Sequence, residues 1–89
     1  MKYEYVNSGS DLKEMLNLLS LSKSKFAKLC GVSRQTIDNV CNNKYNTSEM
    51  LLKLINYVIR DYIKDNDLIL VTETLAITHY VRRNNNKGK

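Results

Sequence analysis

The stretch SRQTIDNVCN, residues 33–42, carries side chains whose planar polar groups suit hydrogen bonding to flat partners. Arg34, Gln35 and Asn39 crowd one side of it, together with Asp38. Arginine can make a bidentate contact to guanine, and glutamine or asparagine can make one to adenine, each worth about 1–3 kcal/mol of discrimination. The alternative is an ordinary solvated helix face, because any exposed helix can carry such residues.

Two short predicted helices would position this stretch. Ser22 can cap the first helix, over about residues 23–30, and Ser33 can cap the second, which runs to about Asn42. Gly31 lies between them, where a tight turn needs the left-handed backbone that glycine adopts at no steric cost.

The apolar residues of this pair meet the further demands of a helix-turn-helix. Ala27 supplies a small residue where the helices cross, and Gly31 follows four positions later. Val32, Ile37 and Val40 are spaced to fix the second helix on a core. The pattern therefore predicts a helix-turn-helix motif over about residues 23–42.

Flanking segments complete a mainly α fold: a compact helix-turn-helix bundle of four helices with short β segments at the N- and C-terminal ends. Helical spacing predicts a first helix over 11–20, capped by Ser8 or Ser10, and a fourth over 48–65. The opening KYEYV alternates like a short strand.

The β-rich segment 68–81 is predicted as strand, with a hairpin turning near Glu73, and a final helix is the alternative. We expect a single domain over 1–83, in which 68–81 is a possible dimerisation element. A mobile basic tail over 84–89 completes the chain.

Positive charge is gathered at two places. The net charge of the 89 residues is +5, but residues 23–44 and 82–89 each carry +4, and the rest sums to −3. Such segregation is what an anionic partner requires. No apolar run is long enough to span a membrane and no secretory signal is visible, so we expect a cytoplasmic protein.

Catalysis and metal binding are not indicated. With two cysteines and one histidine, the chain cannot assemble an ordinary zinc site, and Cys30 and Cys41 are most simply buried thiols. His79 is more readily a surface or interface residue than a proton shuttle, and Asp65 and Asp67 form a turn pair. We expect no enzyme activity, no metal and no cofactor.

Together, FAKLCGVSRQTIDNV, the loop after it and SEMLLKLINYV resemble the phage-repressor type of helix-turn-helix, the Cro-like and Xre-like family, over about residues 12–58. The resemblance implies that helix 33–42 lies in the major groove. It assigns the base contacts to Arg34, Gln35 and Asn39, flanked by Ser33, Thr36 and Asp38. It assigns the phosphate contacts to Lys23, Ser24, Lys28, Asn42, Asn43 and Lys44.

The resemblance further implies a sequence-specific regulator of transcription, a repressor in preference to an activator, of phage or bacterial type. A homodimer would bind a pseudo-palindromic operator in double-stranded DNA. Thr47 stands where many members have proline. The alternative function is a protein-interaction module, such as an antitoxin or inhibitor, using the apolar band of Leu52, Ile59 and Ile63.

Overall fold

The chain forms four helices followed by a two-stranded antiparallel sheet in the computed structural model, which describes residues 3–43, 46–72 and 78–82. The elements are α1 (Gly9–Leu19), α2 (Lys23–Cys30), α3 (Arg34–Cys41), α4 (Glu49–Asp65), β1 (Leu68–Thr72) and β2 (Thr78–Arg82). The mainly α class, the four helices and the C-terminal β structure are confirmed.

Every helix begins at a serine whose hydroxyl oxygen accepts a hydrogen bond from the backbone N–H three residues further on. The four caps are Ser8, Ser22, Ser33 and Ser48. Each satisfies one of the N–H groups that a helix start leaves without an intrahelical partner. Of the two serines predicted as alternatives for α1, Ser8 is the cap.

The turn between α2 and α3 depends on backbone conformation. Gly31 has a φ of 74°, in the left-handed region, and its N–H donates to the Lys28 carbonyl at 3.2 Å. The N–H of Val32 donates to the Ala27 carbonyl at 3.0 Å. A Cβ on Gly31 would meet no atom within 4 Å, so the backbone angle is what requires glycine here.

A single apolar core joins the helices. Phe26, Ile37, Ile55 and Ile59 have no exposed surface, and Ala27 is 2% exposed. The remaining buried apolar residues are Val6, Leu12, Met15, Leu16, Leu19, Leu21, Cys30, Val40, Cys41 and Val58. The buried faces of α2 and α3 thus belong to the same core as α1 and α4.

The apolar band of α4 is used inside the protein. Ile59 is fully buried, and Leu52 and Ile63 are half-buried and packed against the core. The expectation that these three residues form a free adhesive surface is therefore wrong. The buried band of α4 is wider than one packing partner would require, because α2 and β1 both contact this helix.

The predicted N-terminal strand is also wrong. Tyr3–Tyr5 form bends, and one side chain of α4 replaces the ladder that a strand would need. The Asn56 Oδ1 accepts from the backbone N–H groups of Tyr5 (3.0 Å) and Val6 (2.8 Å). Its Nδ2 donates to the Val6 carbonyl at 2.8 Å, and Val6 is fully buried.

Within the segment 68–81, the strand prediction is confirmed for the described residues, 68–72 and 78–81, and the helix alternative is wrong there. Leu68 pairs with Arg82, and Leu70 pairs with Tyr80. The predicted turn near Glu73 lies outside the described residues. Because β2 contacts α1 and β1 contacts α4, the hairpin packs across two helices.

Gly9 marks the closest approach of α1 to α3. A Cβ built there would lie 2.0 Å from the carbonyl oxygen of Val40 and 2.5 Å from Oδ1 of Asn43. The first turn of α1 therefore supports the C-terminal end of α3, and only a residue without a Cβ allows this distance.

Candidate nucleic-acid interface

The two sides of α3 differ sharply. Ile37, Val40 and Cys41 are buried, at 0%, 1% and 4% exposure. Arg34 and Gln35 are exposed on the first turn. The buried side fixes the helix on the core, and the polar side consequently has a defined direction, as the motif predicts.

The N-terminal end of α3 is closed by its cap. The Ser33 Oγ accepts from the Thr36 N–H at 3.1 Å and lies 2.9 Å from the Thr36 Oγ1. Ser33 is exposed and Thr36 is half-buried. The two hydroxyls are thus held together at the edge of the polar side.

Two amides of α3 are joined. The Gln35 Nε2 donates to the Asn39 Oδ1 at 3.0 Å, across one helical turn. An amide nitrogen carries two N–H donors, so Gln35 retains a donor beside its own oxygen. That pair of groups is what a bidentate contact to adenine requires.

An ion pair connects α2 with α3. The Lys23 Nζ donates to the Asp38 Oδ1 at 2.8 Å, with 32% and 29% of the two side chains exposed. The hydrogen bond from Lys23 holds the pKa of Asp38 below its ordinary value, and Arg34 adds to this through its charge. The same hydrogen bond raises the pKa of Lys23. Both groups are therefore charged at neutral pH.

Arg34 lies beside this pair without joining it. Its side chain is exposed and makes no hydrogen bond or salt bridge to another described residue. The hydrogen-bond partner of Asp38 among the described residues is Lys23 and not Arg34. Toward the described part of the chain, the guanidinium donors of Arg34 are therefore unused.

The predicted phosphate-contacting residues flank α3 on both sides. Ser24 and Lys28 are exposed on α2. Asn42 and Asn43 are exposed directly after α3, and Asn43 has a φ of 54°. Along the chain, exposed donors therefore precede and follow α3. Lys44 lies outside the described residues.

A family model described as helix-turn-helix matches residues 12–56, half of the chain. The chain belongs to the Cro-like and Xre-like helix-turn-helix family. Searches of curated proteins and of solved structures gave no match. The family consists of regulatory DNA-binding proteins and not of enzymes, so this helix-turn-helix protein is a DNA-binding regulator. Within residues 3–43, 46–72 and 78–82, no helix is long and apolar enough to cross a membrane.

The cysteines of this helix-turn-helix protein lie behind the interface. Both are free and buried, as predicted. Burial raises the pKa of Cys30 to about 11 and also raises that of Cys41. Neither thiol therefore has the lowered pKa that marks a reactive cysteine.

Two contacts in the helix-turn-helix protein could not be predicted from its sequence pattern. The Lys23–Asp38 pair joins positions 15 residues apart on different helices, which no single-helix periodicity reveals. The close approach of Gly9 to Val40 joins α1 to α3. An unmatched acid within a basic segment is the one sequence signal that points to Asp38.

Proposed function

We propose that this protein is a sequence-specific repressor of transcription that places α3 in the major groove of double-stranded DNA. The observation that supports this is the exposed polar side of α3, held in a defined direction by its buried side. In helix-turn-helix proteins the second helix of the motif reads base edges mainly through its N-terminal residues.

The proposed base readers lie on the first turn of α3, at Arg34 and Gln35, and one turn further on, at Asn39. Arg34 is exposed and has its donors free of other described residues, which suits a guanine. Gln35 and Asn39, joined by a hydrogen bond, suit an adenine. Ser33 and Thr36 flank them, as does Asp38.

The proposed phosphate contacts position the protein and do not themselves read bases. These donors precede and follow α3 along the chain, and all of the described ones are exposed except Lys23, which is half-buried beside Asp38. They are Lys23, Ser24, Lys28, Asn42 and Asn43, with Lys44 assigned to the same role from the sequence.

We further propose a homodimer that forms through the hairpin. Leu68 and Tyr80 pack against the core, but Ile69, Val71 and Val81 are on the other face of the hairpin and are not among the residues packed there. A second copy could cover this aliphatic face. A two-fold axis would then set two α3 helices about 34–36 Å apart on a pseudo-palindromic site.

The alternative, a protein-interaction module such as an antitoxin or inhibitor, loses one of its supports. The α4 band that was to bind a partner lies largely in the core, with Ile59 fully buried. Met50 is 80% exposed, whereas Tyr57, 60% exposed, lines a cleft between α2 and α4 with Leu29, 44% exposed, so a small apolar patch remains there.

The decisive experiment selects bound sequences from a random duplex pool at physiological salt. The wild type should enrich a motif with two related half-sites, and Arg34→Ala should lose preference at one position of each half-site. Arg60→Ala is the matched control, because Arg60 is also an exposed arginine but is on α4. Enrichment of no motif by the wild type would refute sequence-specific binding. An unchanged motif with Arg34→Ala would refute the role of Arg34.

Sedimentation tests the dimer separately. The wild type should sediment as a dimer at high micromolar concentration, and Ile69→Lys should sediment as a monomer. Lys introduced at exposed Ser10, on α1, is the control and should leave the dimer intact. If the wild type is strictly monomeric, the proposed binding to two half-sites is refuted. The proposed binding of α3 to a single half-site is not affected by that result.

A further inference from the structure

The Lys23–Asp38 ion pair lies at the junction of the two helices that meet DNA. Lys23 is the first residue of α2, and Asp38 is in the middle of α3. Asp38 is the only carboxylate in the sequence between positions 23 and 44, where five cations are found. An acid in that place weakens attraction to phosphates unless it has a specific task.

The geometry of the pair restricts what Lys23 can do. A free lysine has a long, rotatable side chain whose ammonium can follow any nearby phosphate. Here the ammonium is held 2.8 Å from Asp38 Oδ1, and about a third of each side chain is exposed. One of the three N–H donors is used, and two remain for a phosphate that arrives at the right place.

We propose that Asp38 is a positioning residue that sharpens discrimination by fixing Lys23. The ammonium then reaches a phosphate only when α3 is fully seated in the groove, and it adds nothing to loose, sequence-independent binding. The inference rests on the proposed function, since it concerns the same interface. It differs from reading of a cytosine by Asp38, because the carboxylate acts on Lys23 and not on a base.

The slope of affinity against salt concentration tests this directly, because it counts the phosphates that the protein neutralises. Each added contact steepens the slope of log K against log salt by about 0.9. In Asp38→Asn, the released Lys23 should add one contact to random-sequence duplex. The loss of affinity between 50 and 200 mM salt should then be about 3.5-fold larger than for the wild type. The ratio of operator to random-duplex affinity should fall.

A double-mutant cycle separates the effect of Asp38 on the position of Lys23 from the effect of removing one negative charge. Lys23→Met should leave the random-duplex slope unchanged and weaken operator binding. Asp38→Asn should have no effect on that slope in the Lys23→Met background. Asp61→Asn, the same charge change at an exposed position of α4, is the control and should leave the slope unchanged. Asp38→Glu, which keeps the carboxylate, should restore most of the discrimination.

Several outcomes overturn the inference. If Asp38→Asn leaves the slope unaltered, or alters it equally with and without Lys23, Asp38 does not act through Lys23. If the selected operator changes base preference at one position in Asp38→Asn, the carboxylate reads a base. Should Asp38→Asn fail to fold, Lys23→Met decides alone, and a flatter random-duplex slope refutes the inference. Absence of duplex binding by the wild type even at low salt overturns the proposed function as well.

Discussion

Replacing Gly9 with alanine sets two physical effects of opposite sign against each other. Glycine in the middle of a helix costs about 0.5–1 kcal/mol relative to alanine. Gly9 is the first residue of α1, so this figure is the upper limit of what helix propensity alone would gain in Gly9→Ala. The new methyl carbon, however, would lie 2.0 Å from the carbonyl oxygen of Val40, where real Cβ atoms keep at least 3.0 Å. The start of α1 and the end of α3 must therefore separate by about 1 Å.

The clash should win. Overpacking of this kind typically costs about 1–3 kcal/mol, and Val40 is backbone-held within α3, so the oxygen cannot simply rotate away. After the gain in propensity is subtracted, Gly9→Ala should lower the free energy of unfolding by about 0.5–2 kcal/mol. In urea the midpoint should fall by about 0.3–1 M at a slope of about 2 kcal/mol/M.

Equilibrium unfolding in urea, followed by circular dichroism, measures this effect. Ser10→Ala is the matched control: it changes the adjacent, exposed helical position and should be neutral or slightly stabilising. If Gly9→Ala is as stable as the wild type or more stable, the close approach of α1 to α3 does not exist as described. The support that α1 gives to the end of α3 would then have to be abandoned.

Three further substitutions or treatments test the fold. Asn56→Ala removes three hydrogen bonds to the N-terminal segment and should cost about 2–3 kcal/mol in urea unfolding, whereas exposed Lys53→Ala on the same helix should stay within about 0.5 kcal/mol; equal midpoints would contradict this. Ser33→Ala removes the cap of α3 and should cost about 1 kcal/mol in the same assay, and no change would mean that the cap is not formed. Cys30 and Cys41, buried and with raised pKa values, should resist a thiol reagent at pH 8 until the protein unfolds, and prompt labelling of the native protein would show otherwise.

The helix-turn-helix could be predicted from sequence because its determinants are local. Ala27, Gly31 and Ile37 lie within eleven residues, and each has a requirement that only a few residue types meet. The cap of α3 is likewise set by Ser33 and the three residues after it. The helical spacing of the apolar residues then predicts which side of α3 is buried, and the opposite side must be the exposed polar one.

Contacts between distant positions could not be predicted. KYEYV has the alternation of a strand, but its backbone groups are bound by Asn56, some 50 residues later. The Lys23–Asp38 pair likewise depends on how α2 and α3 cross. The placement of Ile59 in the core was missed because the number of elements packed on α4 is a property of the whole fold.

The four serine caps have a consequence for how fast the protein folds. Each helix start is defined by a hydrogen bond between residues three apart, so it can form before any tertiary contact exists. Helical proteins rich in local contacts fold in microseconds to milliseconds. Docking of β2 on α1, by contrast, brings together segments about 60 residues apart and must wait for a long loop to close. We therefore expect the helix-turn-helix to form early and the hairpin to dock last.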